Sequence, residues 1–209
     1  MLPVRVKVCG ITNRADALEC VKAGAHALGF IFFEKSPRYI TPKDAQEIIK
    51  SLPPFVSKVG VFVNEDPKKI EQIKEYCQLD YIQLHGDEEV DICDLFKGIS
   101  IKAFRVKDES IFKEIDHYVP YVQGILLDTW SKSEYGGTGK SFNWDLAKKA
   151  KETFQIPLIL AGGLSPENIK DAIDSVSPYG VDVSSGLEKF PGKKDHRLIK
   201  EFFHKINSF

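Results

Sequence analysis

The chain has little of several things. Among 209 residues there are one methionine, two tryptophans and four cysteines. Cys9, Cys20, Cys77 and Cys93 form no CxxC pair, and the five histidines stand at no zinc-like spacing from them. Neither a zinc module nor a disulfide scaffold is expected, so no metal is assigned. Reduced thiols in a cytoplasmic protein are expected instead. Neither sign of charge dominates: 29 Lys+Arg against 30 Asp+Glu leave a formal net charge of -1. The basic excess that usually marks a nucleic-acid partner is absent. No apolar run reaches about 18 residues, so no membrane-spanning helix is expected. Met1-Leu-Pro-Val-Arg-Val-Lys-Val alternates like a strand, and no signal peptide is expected there. Cys9-Gly10-Ile11-Thr12 is not a dinucleotide fingerprint. Gly136-Gly137-Thr138-Gly139-Lys140 lacks the glycine spacing of a Walker A loop.

What is present is ordinary in bulk and informative in pattern. Apolar residues make up 43% and charged residues 28%, which excludes wholesale disorder. Short aliphatic runs begin near Val4, Ala27, Ser57, Tyr81, Ser100, Gly124, Pro157 and Gly180. Each precedes a segment of helical spacing. Asn13 caps a stretch through Ala23-Gly24. Thr41-Pro42, Asp66-Pro67 and Ser165-Pro166-Glu167 open others, and Asn143 and Asp195 cap two more. The chain therefore reads as eight strand-then-helix units. Runs such as Gly-Ile-Leu-Leu and Pro-Leu-Ile-Leu suit parallel strands covered on both faces. An open doubly wound sheet competes with a closed barrel. The unit count favours a (β/α)8 TIM barrel of eight parallel strands, a single catalytic domain over residues 1–209. The longest irregular segment runs from Trp130 to Ser141, and within it Gly136-Gly137-Thr138-Gly139-Lys140 resembles a mobile lid.

Several strands carry polar residues that a sheet does not need. In the first, Val4, Val6 and Val8 share one face, and Arg5, Lys7 and Cys9 share the other. The second set would point into the barrel. Tyr81, Gln83 and His85 share a face of the fourth strand, Asp128 ends the sixth, and Asp182 and Ser184 alternate with valines in the eighth. Unpaired burial of such groups costs several kcal/mol by transfer estimates of about 2–7 kcal/mol. They cluster at C-terminal strand ends, where barrel active sites lie. Each also has a plain reading. Cys9 alone is a small buried hydrophobe, although Lys7 on its face would favour a thiolate. Asp128 can cap a loop, and His85 can bond backbone. Arg5 and Gln83 read as structural polars. Asp87, Glu88 and Glu89 look like a first helical turn. Arg38 is a loop cation suited to a forked carboxylate contact or to solvent. Gly192-Lys193-Lys194 reads as a solvated helix start. Gly162-Gly163 after the seventh strand and Ser184-Ser185-Gly186 after the eighth match the paired loops that hold phosphate in barrels.

Together these blocks resemble the phosphoribosylanthranilate isomerase family. The matching motifs are Lys7-Val-Cys-Gly-Ile-Thr12, Ser36-Pro-Arg-Tyr-Ile40, Gln83-Leu-His-Gly-Asp87, Leu126-Leu-Asp-Thr129 with Gly136-Gly-Thr-Gly139, Ala161-Gly-Gly-Leu164 with Pro166-Glu-Asn168, and Gly180-Val-Asp-Val-Ser-Ser-Gly186 with Pro191-Gly192. They run in family order from residue 7 to 192, with Asn143 where the family often has Asp. The resemblance implies an Amadori rearrangement of N-(5-phosphoribosyl)anthranilate in tryptophan biosynthesis, with no redox cofactor or metal. It implies Cys9 as base and Asp128 as acid. Arg38 would bind the anthranilate carboxylate, and Gly162, Gly163, Ser184 and Ser185 the phosphate of the phosphosugar. Lys7, His85 and Asp182 would position the substrate. The related histidine-pathway isomerase uses paired carboxylates, against which Cys9 argues. Indoleglycerol-phosphate synthase expects a Lys/Glu set that is missing. A binder that has lost its chemistry would not need both Cys9 and Asp128. The sequence leaves monomer and homodimer open, with no nucleic-acid or membrane partner.

Overall fold

Local signals decide where each helix begins. Asn13 Oδ1 accepts from the Asp16 N–H at 3.0 Å and opens α1 (Arg14–Ala23), which Gly24 ends in the left-handed region at φ 114°. Thr41 and Asp66 likewise cap α2 (Pro42–Ile49) and α3 (Pro67–Cys77), each with proline in the first turn. Such a cap stabilises by about 1 kcal/mol over alanine. Asp195 accepts from the Arg197 N–H at 2.8 Å ahead of α8 (His196–Asn207). The remaining helices are α4 (Val90–Leu95), α5 (Ile111–Tyr118), α6 (Trp144–Thr153) and α7 (Ile169–Val176). The protein is described by a computed structural model covering residues 4–129 and 144–207. The glycine-rich segment from Gly136 to Gly139 and the expected cap Asn143 lie outside the described residues.

The strands are β1 (Arg5–Cys9), β2 (Ala27–Ile31), β3 (Ser57–Phe62), β4 (Tyr81–Leu84), β5 (Ser100–Val106), β6 (Gly124–Thr129), β7 (Leu158–Leu160) and β8 (Gly180–Val183). All pair in parallel, in chain order, and β8 closes on β1, giving a (β/α)8 barrel. The expected strand starts hold to within one residue.

Period-two alternation splits the core into two layers. Val6, Val8, Leu28, Phe30, Phe62, Ile82 and Leu127 belong to the large cluster between sheet and helices. Ile101, Ala103, Leu126 and Ala161 form a smaller one inside the barrel. Burying each large apolar side chain contributes about 1.5–3 kcal/mol. The interior cluster is small because Lys7, Cys9, Gln83 and Asp182 occupy positions that a purely structural barrel would give to aliphatics.

Three expectations fail. Ser165 does open the seventh helical segment: its carbonyl accepts from the Ile169 N–H at 3.0 Å, its Oγ accepts from the Glu167 N–H, and Asn168 Oδ1 accepts in return from the Ser165 N–H, with regular α7 running from Ile169. Glu88 is not a first-turn carboxylate. It is buried, accepts from the backbone of Asn64 and Gly86, and pairs with the equally buried Lys102 at 3.1 Å. Lys193-Lys194 is no solvated helix start but the short strand β10, antiparallel to β9 (Glu188–Phe190). Arg5 is exposed at the N-terminal end of the barrel, because strand tilt carries the first residue of β1 out of the packed interior.

Candidate active site

A cavity of about 400 Å³ opens at the C-terminal ends of the strands. Cys9, Arg38, His85, Asp128, Gly162, Gly163, Asp182, Ser184 and Ser185 all line it. The structure therefore brings together nine of the ten residues named from sequence. The tenth, Lys7, lies one layer deeper on β1. The β1–β8 register sets Lys7 opposite Asp182, and their side chains pair at 2.9 Å, both nearly buried.

Cys9 sits at the end of β1. Burial pushes its thiol pKa up, and the nearby Lys7 and Lys194 ammonium groups oppose that push without overcoming it. Lys7 favours the thiolate, as its place on the same strand face suggests, but burial outweighs it and Asp182, to which Lys7 is bonded, works the other way. Burial also disfavours the Lys7 cation, but Asp182 and Cys9 outweigh it and raise its pKa. Gly29 faces the thiol from β2. A Cβ there would lie 2.7 Å from Cys9 Sγ, so glycine makes the room that the sulfur occupies.

Across the cavity, Gln83, His85 and Asp128 form a chain. Gln83 Nε2 stands 2.8 Å from His85 Nδ1, and His85 Nε2 stands 3.2 Å from Asp128 Oδ2. The loop carrying His85 is held from behind by the Glu88–Lys102 pair, since Lys102 Nζ also donates to the Gly86 carbonyl at 2.7 Å.

Arg38 reaches the cavity from the loop after β2. Its Nε and Nη2 donate to both oxygens of Glu188 at 2.7–3.0 Å. That contact uses the side edge of the guanidinium and leaves its end edge for a second carboxylate. Glu188 is shared: the fully buried Lys194 pairs with it at 3.0 Å and also donates to the Cys9 and Ser184 carbonyls. Burial opposes ionisation of Glu188, but Arg38 and Lys194 win and lower its pKa. Two cations around one anion leave this cluster with a net positive charge. Gly10, at φ 77°, lets Arg38 pack close, since a Cβ there would lie 2.7 Å from Arg38 Cδ.

Two loops build the remaining wall. Gly162 and Gly163 both take left-handed conformations, at φ 86° and 65°, which glycine adopts without penalty. Asn168 Oδ1 accepts from the Ser165 N–H and its Nδ2 donates to the Gly163 carbonyl, each at 2.9 Å, so the loop is braced by its own chain. A Cβ on Gly186 would run into the Leu164 carbonyl, so the two loops touch only because residue 186 is glycine. Ser184 Oγ donates to the Cys9 carbonyl at 3.1 Å. Glycine-rich loops of this kind let backbone approach an anion closely.

Sequence reasoning missed Glu188, Lys194, Gly29 and the connecting role of Gln83. Glu188 is a lone carboxylate with no local pattern. Lys194 sits in a cationic pair that resembles a solvated turn. Gly29 lies inside an apolar strand, where an isolated glycine does signal close approach.

Comparison with known proteins agrees with this geometry. Residues 6–205 match the family model for N-(5'-phosphoribosyl)anthranilate (PRA) isomerase. The N-(5'-phosphoribosyl)anthranilate isomerase of Geobacter sulfurreducens is 52% identical over 206 residues, covering 99% of this chain and all of its own. The phosphoribosylanthranilate isomerase structure from Thermotoga maritima superposes with a TM-score of 0.91 at 50% identity, covering 99% of this chain and 100% of that one. A structure of monomers generated from that dimeric enzyme gives 0.87 at 45%, with the same coverage. So does, at 46%, a phosphoribosylanthranilate isomerase complexed with reduced 1-(o-carboxyphenylamino)-1-deoxyribulose 5-phosphate.

Proposed function

Because the chain belongs to the N-(5'-phosphoribosyl)anthranilate isomerase family, and so is an isomerase of tryptophan biosynthesis, we propose how its residues divide the Amadori rearrangement. The reaction converts N-(5'-phosphoribosyl)anthranilate to 1-(2-carboxyphenylamino)-1-deoxyribulose 5-phosphate. The observation that carries the assignment is the placement of Cys9 and Asp128 on β1 and β6, both lining one cavity that Arg38 and the Gly162-Gly163 and Ser184-Ser185 loops also line. The substrate is anionic at both ends, with a carboxylate and a phosphate. The end edge of Arg38 takes the carboxylate, and the loops at Gly162-Gly163 and Ser184-Ser185 take the phosphate. Held at both ends, the sugar lies across the cavity between thiol and carboxyl.

Asp128, protonated, gives its proton to the furanose oxygen, and the ring opens to an iminium at C1'. Cys9, as thiolate, removes the C2' proton, and the electron pair moves to form the enolamine. The enol hydroxyl then loses its proton and C1' gains one, leaving the ketone. Electrons and atoms balance within the substrate, and each step is a proton transfer of the kind general acid–base catalysis accelerates. Lys7 and Asp182 form the neutralised pair beneath the base. His85 positions the acid.

The test is turnover in deuterium oxide. The ketose should appear with solvent deuterium at C1', as an enolamine requires. A product with no solvent hydrogen at C1' would contradict this route.

A second copy of this chain is the partner we assign. Phe55 is fully exposed and held at φ 69°, bordering a cavity of about 370 Å³ at the N-terminal end of the barrel, near the exposed Tyr179. That apolar surface supports a homodimer, as does the dimeric Thermotoga maritima relative. No helix among the described residues is long and apolar enough to cross a membrane. Four free, buried thiols support a cytoplasmic location.

A further inference from the structure

Gln83 lies two residues before His85 on the inner face of β4 and is 1% exposed. Its amide nitrogen is 2.8 Å from His85 Nδ1, and its amide oxygen is buried with no hydrogen-bond partner among the described residues. A neutral imidazole carries one N–H, so what bonds one ring nitrogen decides what the other can do. With the amide N–H on Nδ1, the ring hydrogen sits on Nε2 and is donated to Asp128 Oδ2, which accepts it most strongly as a carboxylate. Half a turn of the amide exchanges its two ends. The oxygen then accepts from Nδ1–H, and Nε2 offers a lone pair to Asp128, which can bond it only as the protonated acid. The two arrangements differ by one proton, the proton that the acid must deliver.

The geometry points to Gln83 as a positioning residue that sets the His85 tautomer and so lets the Asp128 carboxyl be held in either protonation state while the imidazole stays neutral. The inference rests on Asp128 being the acid. The amide brings both a donor and an acceptor to that place. A fixed donor there would favour the Asp128 carboxylate, and a fixed acceptor such as glutamate would draw a second proton onto the ring. Other charged groups border His85. Cys9, Arg38 and Asp182 share its cavity, and Asp87, Lys102 and Arg105 line the neighbouring cleft with it. They do not choose the tautomer, which the groups bonded to the two ring nitrogens decide.

The test is nitrogen-15 NMR of the histidine rings in the full-length enzyme across pH, for wild type, Gln83→Met and Asp128→Asn, with kinetics alongside. In wild type the His85 hydrogen should move from Nδ1 to Nε2 as Asp128 ionises, with no imidazolium formed at that step. In Asp128→Asn the movement should vanish. In Gln83→Met the ring should keep one tautomer or become cationic, and kcat should fall about tenfold or more with KM nearly unchanged. A single tautomer throughout in wild type, a cationic ring at the Asp128 step, or a switch that survives Gln83→Met would each overturn the inference. If Gln83→Met fails to fold, the wild-type and Asp128→Asn spectra still decide it. Full activity in Asp128→Asn would instead remove the acid assignment, whatever the spectra show.

Discussion

Replacing Lys7 with methionine should shift the pH dependence of the reaction by an amount the structure bounds. Lys7 and Cys9 are two residues apart on one face of β1, about 7 Å apart along the backbone, and their side chains reach each other. Even at the full backbone spacing and an effective dielectric near 20, two unit charges interact by about 2.4 kcal/mol, close to two pH units. Lys7 lowers the Cys9 thiol pKa and Asp182 raises it. Removing Lys7 alone deletes the helpful charge and exposes the harmful one. The acid limb of kcat/KM should therefore move upward by about one to two pH units. Removing both partners, in Lys7→Met/Asp182→Asn, deletes two opposing fields and should return most of that shift. The double variant also answers a folding objection. Stranding Asp182 in a buried site costs about 3–5 kcal/mol of stability, whereas a neutral pair of similar volume is tolerated better. Stopped-flow fluorescence from pH 6 to 10 reads the limb. An acid limb unmoved in the single variant, or moved equally in both, would refute the electrostatic argument.

Other outcomes follow from the same geometry. Arg38→Met removes a charge-assisted carboxylate contact of about 1.5–3 kcal/mol, so KM should rise about ten- to hundredfold with a smaller change in kcat. Asp16 is buried. Burial opposes its ionisation, yet Lys193, Asn13 and His196 win and hold it at about 2 against an ordinary 3.8. That depression contributes about 2 kcal/mol of stability, fully present above pH 5 and lost as pH falls through about 2, with about 1 kcal/mol gone by pH 3. Urea unfolding of wild type and Asp16→Asn at pH 6 and pH 3 should show this loss in wild type only. Phe55→Glu should convert a dimer to a folded monomer by light scattering. A wild type that is already monomeric would contradict that reading.

Much of the fold was legible because periodicity and caps are local. Asn13, Thr41, Asp66 and Asp195 each announce a helix within four residues of themselves, and strand alternation placed Lys7, Cys9, Gln83 and His85 inside the barrel. The site residues at strand ends were legible for the same reason, since topology carries every C-terminal end to one mouth. What stayed hidden depends on pairs distant in sequence. Glu88 resembles a first-turn carboxylate until Lys102, from the next strand, is seen beneath it. Lys194 looks solvated until the β9–β10 hairpin folds it under Cys9. Arg38 was legible as a carboxylate ligand, but not that Glu188 would occupy one edge of it first.

The most direct test of the whole account is single-turnover decay of N-(5'-phosphoribosyl)anthranilate fluorescence in wild type, Cys9→Ser and Asp128→Asn. All three are measured with product-analogue binding alongside, to show that the cavity is intact. The account predicts fast decay in wild type and losses of about a hundredfold or more in each variant with binding retained. Decay at the wild-type rate in either variant would contradict the assignment of that residue, and no decay in well-folded wild type would contradict the activity itself.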